Sequence, residues 1–205
     1  MATAIPYELT GRTRQKARTR AALLSATREL LAEGVTPTVE QAADRAAISR
    51  TTAYRYFPNQ RMLLAATYPE IEELSLLGAS PPADPTARLE VATERFTRLV
   101  LEHEPELRTQ LRLSLEPTPP GEDALPLRQG RAIGWIKDAL APLSERMPEP
   151  EIHRLVLAIR ATLGIEALVW LTDIAGLSRE QAVEIMGASA RTLLRAAIAD
   201  ASREH

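Results

Sequence analysis

No cysteine occurs in the 205 residues, which excludes a disulfide framework, thiolate catalysis and a thiolate-bound metal. Histidine is nearly absent too: His103, His153 and His205 are scattered, and no two of them share a helix face. Neither Glu-x-x-His, His-Glu-x-x-His, Gly-x-Ser-x-Gly nor a glycine-rich phosphate loop is present, so the sequence predicts neither an enzyme nor a cofactor or metal site. Aromatic residues make up only 4% of the chain, and runs of β-branched residues are sparse. Alanine, leucine, arginine and glutamate abound instead, which argues for an all-α chain. The most apolar stretch, Leu155 to Leu171, is interrupted by Arg160 and Glu166; no membrane span is predicted, and the expected location is the cytoplasm.

Lysine is the remaining scarcity. Only Lys16 and Lys137 occur against 23 arginines, so abundance of arginine says little and its placement says more. Up to Arg61 there are ten Lys/Arg and five Asp/Glu, a net of +5; the remainder carries fifteen against twenty-two, a net of −7. A basic N-terminal portion on an acidic body is the charge distribution of a nucleic-acid reader at one end.

The stretch Thr38 to Arg61, TVEQAADRAAISRTTAYRYFPNQR, organises that portion. Thr38 stands at an N-cap position, and Gln41 three residues later completes a capping box. In the helix that follows, Val39, Ala42, Ala43 and Ala46 fall on one apolar face. Ala47 and Ile48 make a turn, and Ser49 caps a second short helix, Arg50 to Phe57. That helix turns Ala53 and Phe57 inward and leaves Arg50, Thr51, Thr52, Tyr54, Arg55 and Tyr56 for the surface. Two short helices at a tight turn, the second polar and arginine-bearing, form a helix-turn-helix. Ahead of them a helix of about Arg14 to Glu33 buries Leu23, Ala26 or Thr27, Leu30 and Leu31, and Gly34 ends it. Arg12, Arg14, Lys16, Arg18 and Arg20 lie at its start, where positive charge opposes the helix dipole and a polyanion would relieve the cost.

This run resembles the DNA-binding segment of the tetracycline-repressor (TetR) family of bacterial transcriptional regulators. Thr38, Val39, Ala43, Ala46, Ile48, Ser49, Thr52, Tyr54, Tyr56, Phe57, Asn59 and Leu63 match its pattern. Ala47 replaces the turn glycine, Ala42 and Ala53 replace larger aliphatics, and Gln60 replaces a lysine that meets a phosphate in the family. The resemblance implies an N-terminal three-helix DNA-binding domain, residues 1–61 with an arm at about 1–11, and a C-terminal helical ligand-binding and dimerisation domain, residues 62–205. It further implies a repressor that binds a pseudo-palindromic double-stranded operator as a homodimer and answers to a small-molecule effector. The alternative is a sequence-tolerant architectural DNA-binding protein without a ligand. Arg50, Thr51, Thr52 and Arg55 are assigned to base-edge or mixed contacts, and Thr38, Ser49, Tyr54, Tyr56 and Gln60 to phosphates.

The rest of the chain reads as further helices: 61–77 with a break at Pro69, 85–103, 105–115, 127–147 bent at Pro142, 151–174, and 179–203 capped by Ser178. Residues 78–86 form a linker, and 116–126, rich in proline and acid, an expected mobile loop. Candidate effector-pocket residues are Phe96, Leu99, His103, Leu111, Arg131, Trp135, Arg160, Glu166, Asp173 and Trp170, an apolar wall with a few polar groups. Helix 151–174 has two apolar stripes, so one is free for a partner. Its Leu157, Ala161, Gly164 and Leu168, with Val183, Met186, Gly187, Ala190, Leu194 and Ala197 of the last helix, are the candidate dimer interface.

Overall fold

The computed structural model describes residues 7–68, 73–117 and 130–203, with the side chains of 7–12 left undescribed. Among these residues there are helices and turns and no strand. The chain divides into two compact units, one of Met1–Pro69 with Arg112–Leu127, the other of Glu70–Leu111 with Arg128–His205.

In the first unit α1 spans Tyr7–Ala32, α2 Val39–Arg45, α3 Arg50–Tyr56 and α4 Gln60–Ala65. The start of α1 at Tyr7 corrects the expected arm: residues 7–11 are helical, with Gly11 carried inside, while 1–6 lie outside the described residues. The α1 stripe is as its periodicity predicts, with Leu23, Ala26, Thr27, Leu30 and Leu31 all buried; Thr27 satisfies its hydroxyl by donating to the Leu23 carbonyl at 2.7 Å. Gly34 ends the helix at φ +80°, the left-handed conformation that glycine adopts without steric cost. A core of Leu23, Leu24, Val39, Ala42, Ala43, Ala53, Phe57 and Leu63 joins the four helices. Since Leu63 belongs to it, and Leu64 packs with Leu31 and Leu113, the compact unit runs beyond the expected division at residue 61.

The helix expected over 61–77 ends at Ala65. Thr67 donates its hydroxyl to the Leu64 carbonyl at 2.7 Å, occupying an acceptor in the last turn. Leu76 and Leu77 are buried with Ala92, Ala132, Trp135 and Ala139 in the second unit. Ile71 and Pro69 lie outside the described residues, as does the acidic proline-rich run from residue 118.

In the second unit α5 spans Pro85–Glu102, capped by Asp84, whose carboxylate accepts from the Ala87 N–H at 2.9 Å. Next come α6, Glu104–Leu115, which enters the first unit at Arg112, and α7, Arg131–Ala139, followed by a 3-10 turn at Ala141–Glu145. Pro142 lacks the N–H an α-helix would need there, so the expected single helix 127–147 becomes two pieces. Arg88 of α5 closes the end of α7 by donating to the carbonyls of Asp138 at 2.8 Å and Ala139 at 3.1 Å.

The expected helix 151–174 is also broken, into α8, Glu149–Ala161, α9, Ile165–Val169, and a π-helical turn at Trp170–Ile174. The break is at Gly164, φ +97° and ψ −171°. Arg160 Nη1 donates to the Leu163 carbonyl at 2.5 Å and stands 2.8 Å from where a Cβ on residue 164 would be. By length and composition alone Glu149–Ile174 could cross a bilayer, but the turn interrupts it, and Leu155, Ile159, Leu163 and Leu168 are spent in the unit's own core. Finally α10, Arg179–Ala201, opens on a capping box in which Ser178 and Gln181 bond each other's backbone N–H.

An ionic chain holds the start of α6 to the start of α10. Glu104, nearly buried, accepts from Arg108 Nε at 2.7 Å and from Arg179 Nε at 2.7 Å. Arg108 grips Asp173 with two bonds, at 2.6 and 2.8 Å. Burial pushes the Glu104 carboxyl up, but the hydrogen bonds from Arg179 and Arg108 outweigh it and hold the group below its ordinary range. The bonds from Arg108 and Thr172 bring Asp173 from 3.8 down to about 2.

Two outcomes are expected. Ala47 sits at φ +53°, a conformation that costs a residue with a Cβ roughly 1–2 kcal/mol; Ala47→Gly should therefore stabilise the protein by about 0.5–1 kcal/mol after the flexibility of glycine in the unfolded chain is offset. A raised midpoint in urea would show it, and an unchanged or lowered one would contradict the strain. For Asp173, depressed in the fold, the stabilisation is full above its ordinary value near pH 4 and is lost as pH falls towards 2. With its side chain 48% exposed, screening leaves about 1 kcal/mol, so Asp173→Asn should lower stability by that amount at pH 7 and flatten the acid limb between pH 4 and 2.

Candidate nucleic-acid interface

The helix-turn-helix is built from caps and small residues. Gln41 N–H donates to Thr38 Oγ1 at 3.2 Å and Thr38 N–H to Gln41 Oε1 at 2.8 Å, so both halves of the capping box form. Ser49 accepts from the Thr52 N–H at 3.3 Å and donates to Thr52 Oγ1 at 2.9 Å; Asn59 caps α4 by accepting from Met62 N–H at 2.8 Å. Ala42, Ala43 and Ala53 are each 0% exposed. Methyl groups there let the backbones of α2 and α3 approach, with Ile48 half-buried between them.

That packing decides what α3 presents. Arg50, Thr51 and Arg55 are exposed, Thr52 is half-buried and tied to Ser49, and Ala53 and the following Phe57 are sealed in the core. A rigid short helix with two guanidinium groups and a hydroxyl outward can hydrogen-bond base edges and phosphates. Tyr56 is half-buried against the core, so its ring is a packing element first.

Beyond Thr38, Ser49 and Thr52 in the caps, three more assigned side chains are already engaged. Tyr54 donates its hydroxyl to Glu40 of α2, which holds the Glu40 carboxyl below its ordinary range and pushes the phenol up. Arg50 faces Asp44 at 3.6 Å. Gln60 donates to the Pro37 carbonyl at 3.0 Å, fastening the start of α4 to the link before α2 where the family's lysine would reach a phosphate. Sequence reasoning missed Glu40 and Asp44, because their partners lie on the next helix and only packing brings them together. It missed equally the fork from Arg45 to Glu33, at 2.8 and 2.9 Å, which ties α2 to the end of α1.

Basic side chains extend the surface along α1, where Arg14, Lys16, Arg18 and Arg20 are exposed. The Arg20 guanidinium carbon also lies 5.8 Å from the Phe57 ring centroid, a cation–π contact with the helix-turn-helix from a side chain that stays exposed. The side chain of Arg12 is outside the described set.

In the second unit some of the candidate effector residues come together and others do not. Phe96 meets Trp135 edge to face at 5.8 Å, Arg160 lies 5.7 Å above Phe96, and Glu166 faces Arg160 at 3.3 Å. These four form one packed cluster, and Trp135 Nε1 donates to the Glu73 carbonyl at 2.8 Å. Leu99 packs against the same buried cluster as Phe96, the one that holds Trp135, Leu111 packs against the main core, and His103 and Arg131 are half-buried at helix ends. Asp173 is committed to Arg108, and Trp170 is exposed.

The candidate dimer stripe is corrected in part. Leu168, Met186, Ala190 and Leu194 are at most 1% exposed within their own unit, and Gly164 and Gly187 are buried there as well; Leu157 and Ala161 are exposed, Val183 and Ala197 half-buried. The turn at Gly164 shifts the helical phase, so Leu157, Ala161, Gly164 and Leu168 do not share a stripe.

No curated protein matches the chain. A solved structure described as a TetR-family transcriptional regulator from Streptomyces coelicolor is similar over 89% of this chain and 98% of its own, at 23% identity and a TM-score of 0.42. The model of the family described as "Bacterial regulatory proteins, tetR family" matches residues 23–67, the segment from the α1 stripe through the capped helices to the end of α4. That match falls on this helix-turn-helix, so residues 23–67 form a DNA-binding segment of the kind found in tetR-family transcriptional regulators.

Proposed function

We propose that the protein is a ligand-responsive repressor that reads a pseudo-palindromic operator as a homodimer. The observation that carries the DNA reading is the exposure of Arg50, Thr51 and Arg55 on a helix whose opposite side is locked by Ala53 and Phe57. One such helix reads few base pairs. Two of them in successive major grooves, about 34–36 Å apart, would multiply specificity.

Support for the dimer comes from apolar side chains with no cover in the single chain. Leu157 on α8, Trp170 and Ile174 on the π-helical turn and Ile185 on α10 are all exposed, Trp170 by 56%. Exposed apolar residues on consecutive elements of one unit mark an interaction surface, and a second copy of the chain is the partner proposed for it. An effector held by the second unit would act by binding more tightly to the conformation that does not fit the operator.

Fluorescence anisotropy with DNA from upstream of the protein's own gene, beside shuffled DNA, tests the reading. A preference of about a thousandfold for the upstream fragment, lost in Arg50→Ala/Arg55→Ala, is expected, together with a dimer by sedimentation that Leu157→Glu/Trp170→Glu dissociates. Equal, steeply salt-dependent binding to both DNAs would favour the architectural alternative, and absence of binding at low salt would defeat both. Gln60→Lys should tighten binding and steepen the salt slope by about 0.9 per subunit, the increment for one added phosphate contact; an unchanged slope would place residue 60 away from the backbone.

A further inference from the structure

A groove of about 1050 Å³ opens in the second unit between the start of α5, the 3-10 turn after α7 and the end of α10. Its floor is apolar. Leu143 and Met147 are buried members of the main core, and Ile198 packs against them from α10. None of the side chains assigned to an effector from the sequence lines it.

Its walls carry charge of a particular kind. Arg146 and Arg195 are both exposed; Arg195 spends one N–H on Thr192 Oγ1 at 3.4 Å, and among the described residues neither guanidinium has a carboxylate in ion-pair range. The carboxylates of the lining are differently disposed: Asp84 is committed to capping α5, and Glu145 stands exposed in the 3-10 turn. A space at the upper end of the range for small-molecule sites, with an apolar floor and a few polar groups, suits an organic ligand. Two guanidinium forks that no carboxylate of the described residues pairs with favour a planar anionic head over a neutral or cationic one, while Asp84 stays engaged with the α5 backbone.

We infer that this groove binds an amphipathic carboxylate, its apolar tail against Leu143, Met147 and Ile198 and its head at Arg146 and Arg195. The inference rests on the reading of the second unit as the effector-binding one, and gives that effector a site and a chemical class.

Isothermal titration of the full-length protein with decanoate, decanol and decylamine, each below its micellar concentration, tests it. Decanoate should bind about five- to tenfold more tightly than decanol, the gain of one or two partly exposed ion pairs, and decylamine least tightly. Arg146→Gln/Arg195→Gln should abolish the preference for decanoate while leaving the far-ultraviolet dichroism and thermal midpoint unchanged, since both side chains are exposed. Decanol or decylamine binding as tightly as decanoate, decanoate binding unaltered in the variant, or no binding of decanoate would each overturn the inference. Anisotropy on the upstream DNA, run in parallel, separates it from the effector reading: decanoate that binds through the arginines without releasing DNA supports the groove and counts against ligand response.

Discussion

Close approach of α2 and α3 is the constraint on which the DNA-reading surface depends. In this chain it is made by the alanines at 42, 43 and 53, all fully buried, and it fixes where every outward side chain of α3 stands. Larger side chains at these positions would push the helices apart, because a close-packed interior has no slack to absorb added methylenes. The caps at Thr38, Ser49 and Asn59 then settle the helix starts. For helices of six or seven residues this matters, since too few internal hydrogen bonds form to define such helices without packing and capping.

The same packing brings acid to the reading helix. Glu40 accepts from Tyr54, and Asp44 lies near Arg50, so two outward side chains of α3 are oriented by carboxylates of α2 before any DNA arrives. An anionic phosphate approaching this surface meets those carboxylates as well as Arg50 and Arg55, and affinity rests on the balance of like and opposite charge. The basic side chains of α1 add to the favourable side. Gln60, neutral and turned to Pro37, adds hydrogen-bonding capacity and no charge.

In the second unit, interruption of helices shapes the surface as much as the helices do. Pro142 and Gly164 each end a stretch whose hydrophobic pattern would have continued. The turn at Gly164 is held by Arg160, which reaches Leu163, Glu166 and the ring of Phe96. Past it, the chain sets Trp170 and Ile174 outward while Ile165, Leu168 and Leu171 stay inward, and the 3-10 turn at Pro142 supplies one side of the groove.

The sequence by itself determined whatever depends on neighbours a few residues apart. The capping box at Thr38, the cap at Ser178, the end of α1 at Gly34, the apolar stripe of α1 and the outward Arg50, Thr51, Tyr54 and Arg55 of α3 all follow from local hydrogen bonding and helical period, and the structure has each of them. The positive φ at Ala47 falls where the resembled family has its turn glycine. Tertiary structure alone decided which of two apolar stripes faces the core, because periodicity gives an angle around a helix and no partner for it; hence Ile152, Val156 and Ile159 lie inside and Leu157 and Ala161 outside. It also decided that Tyr54, Arg50 and Gln60 have intramolecular partners 14, 6 and 23 residues away. The groove at Arg146 and Arg195 belongs to the same class, as its walls come from three segments far apart in the chain, and only the packed chain sets them side by side.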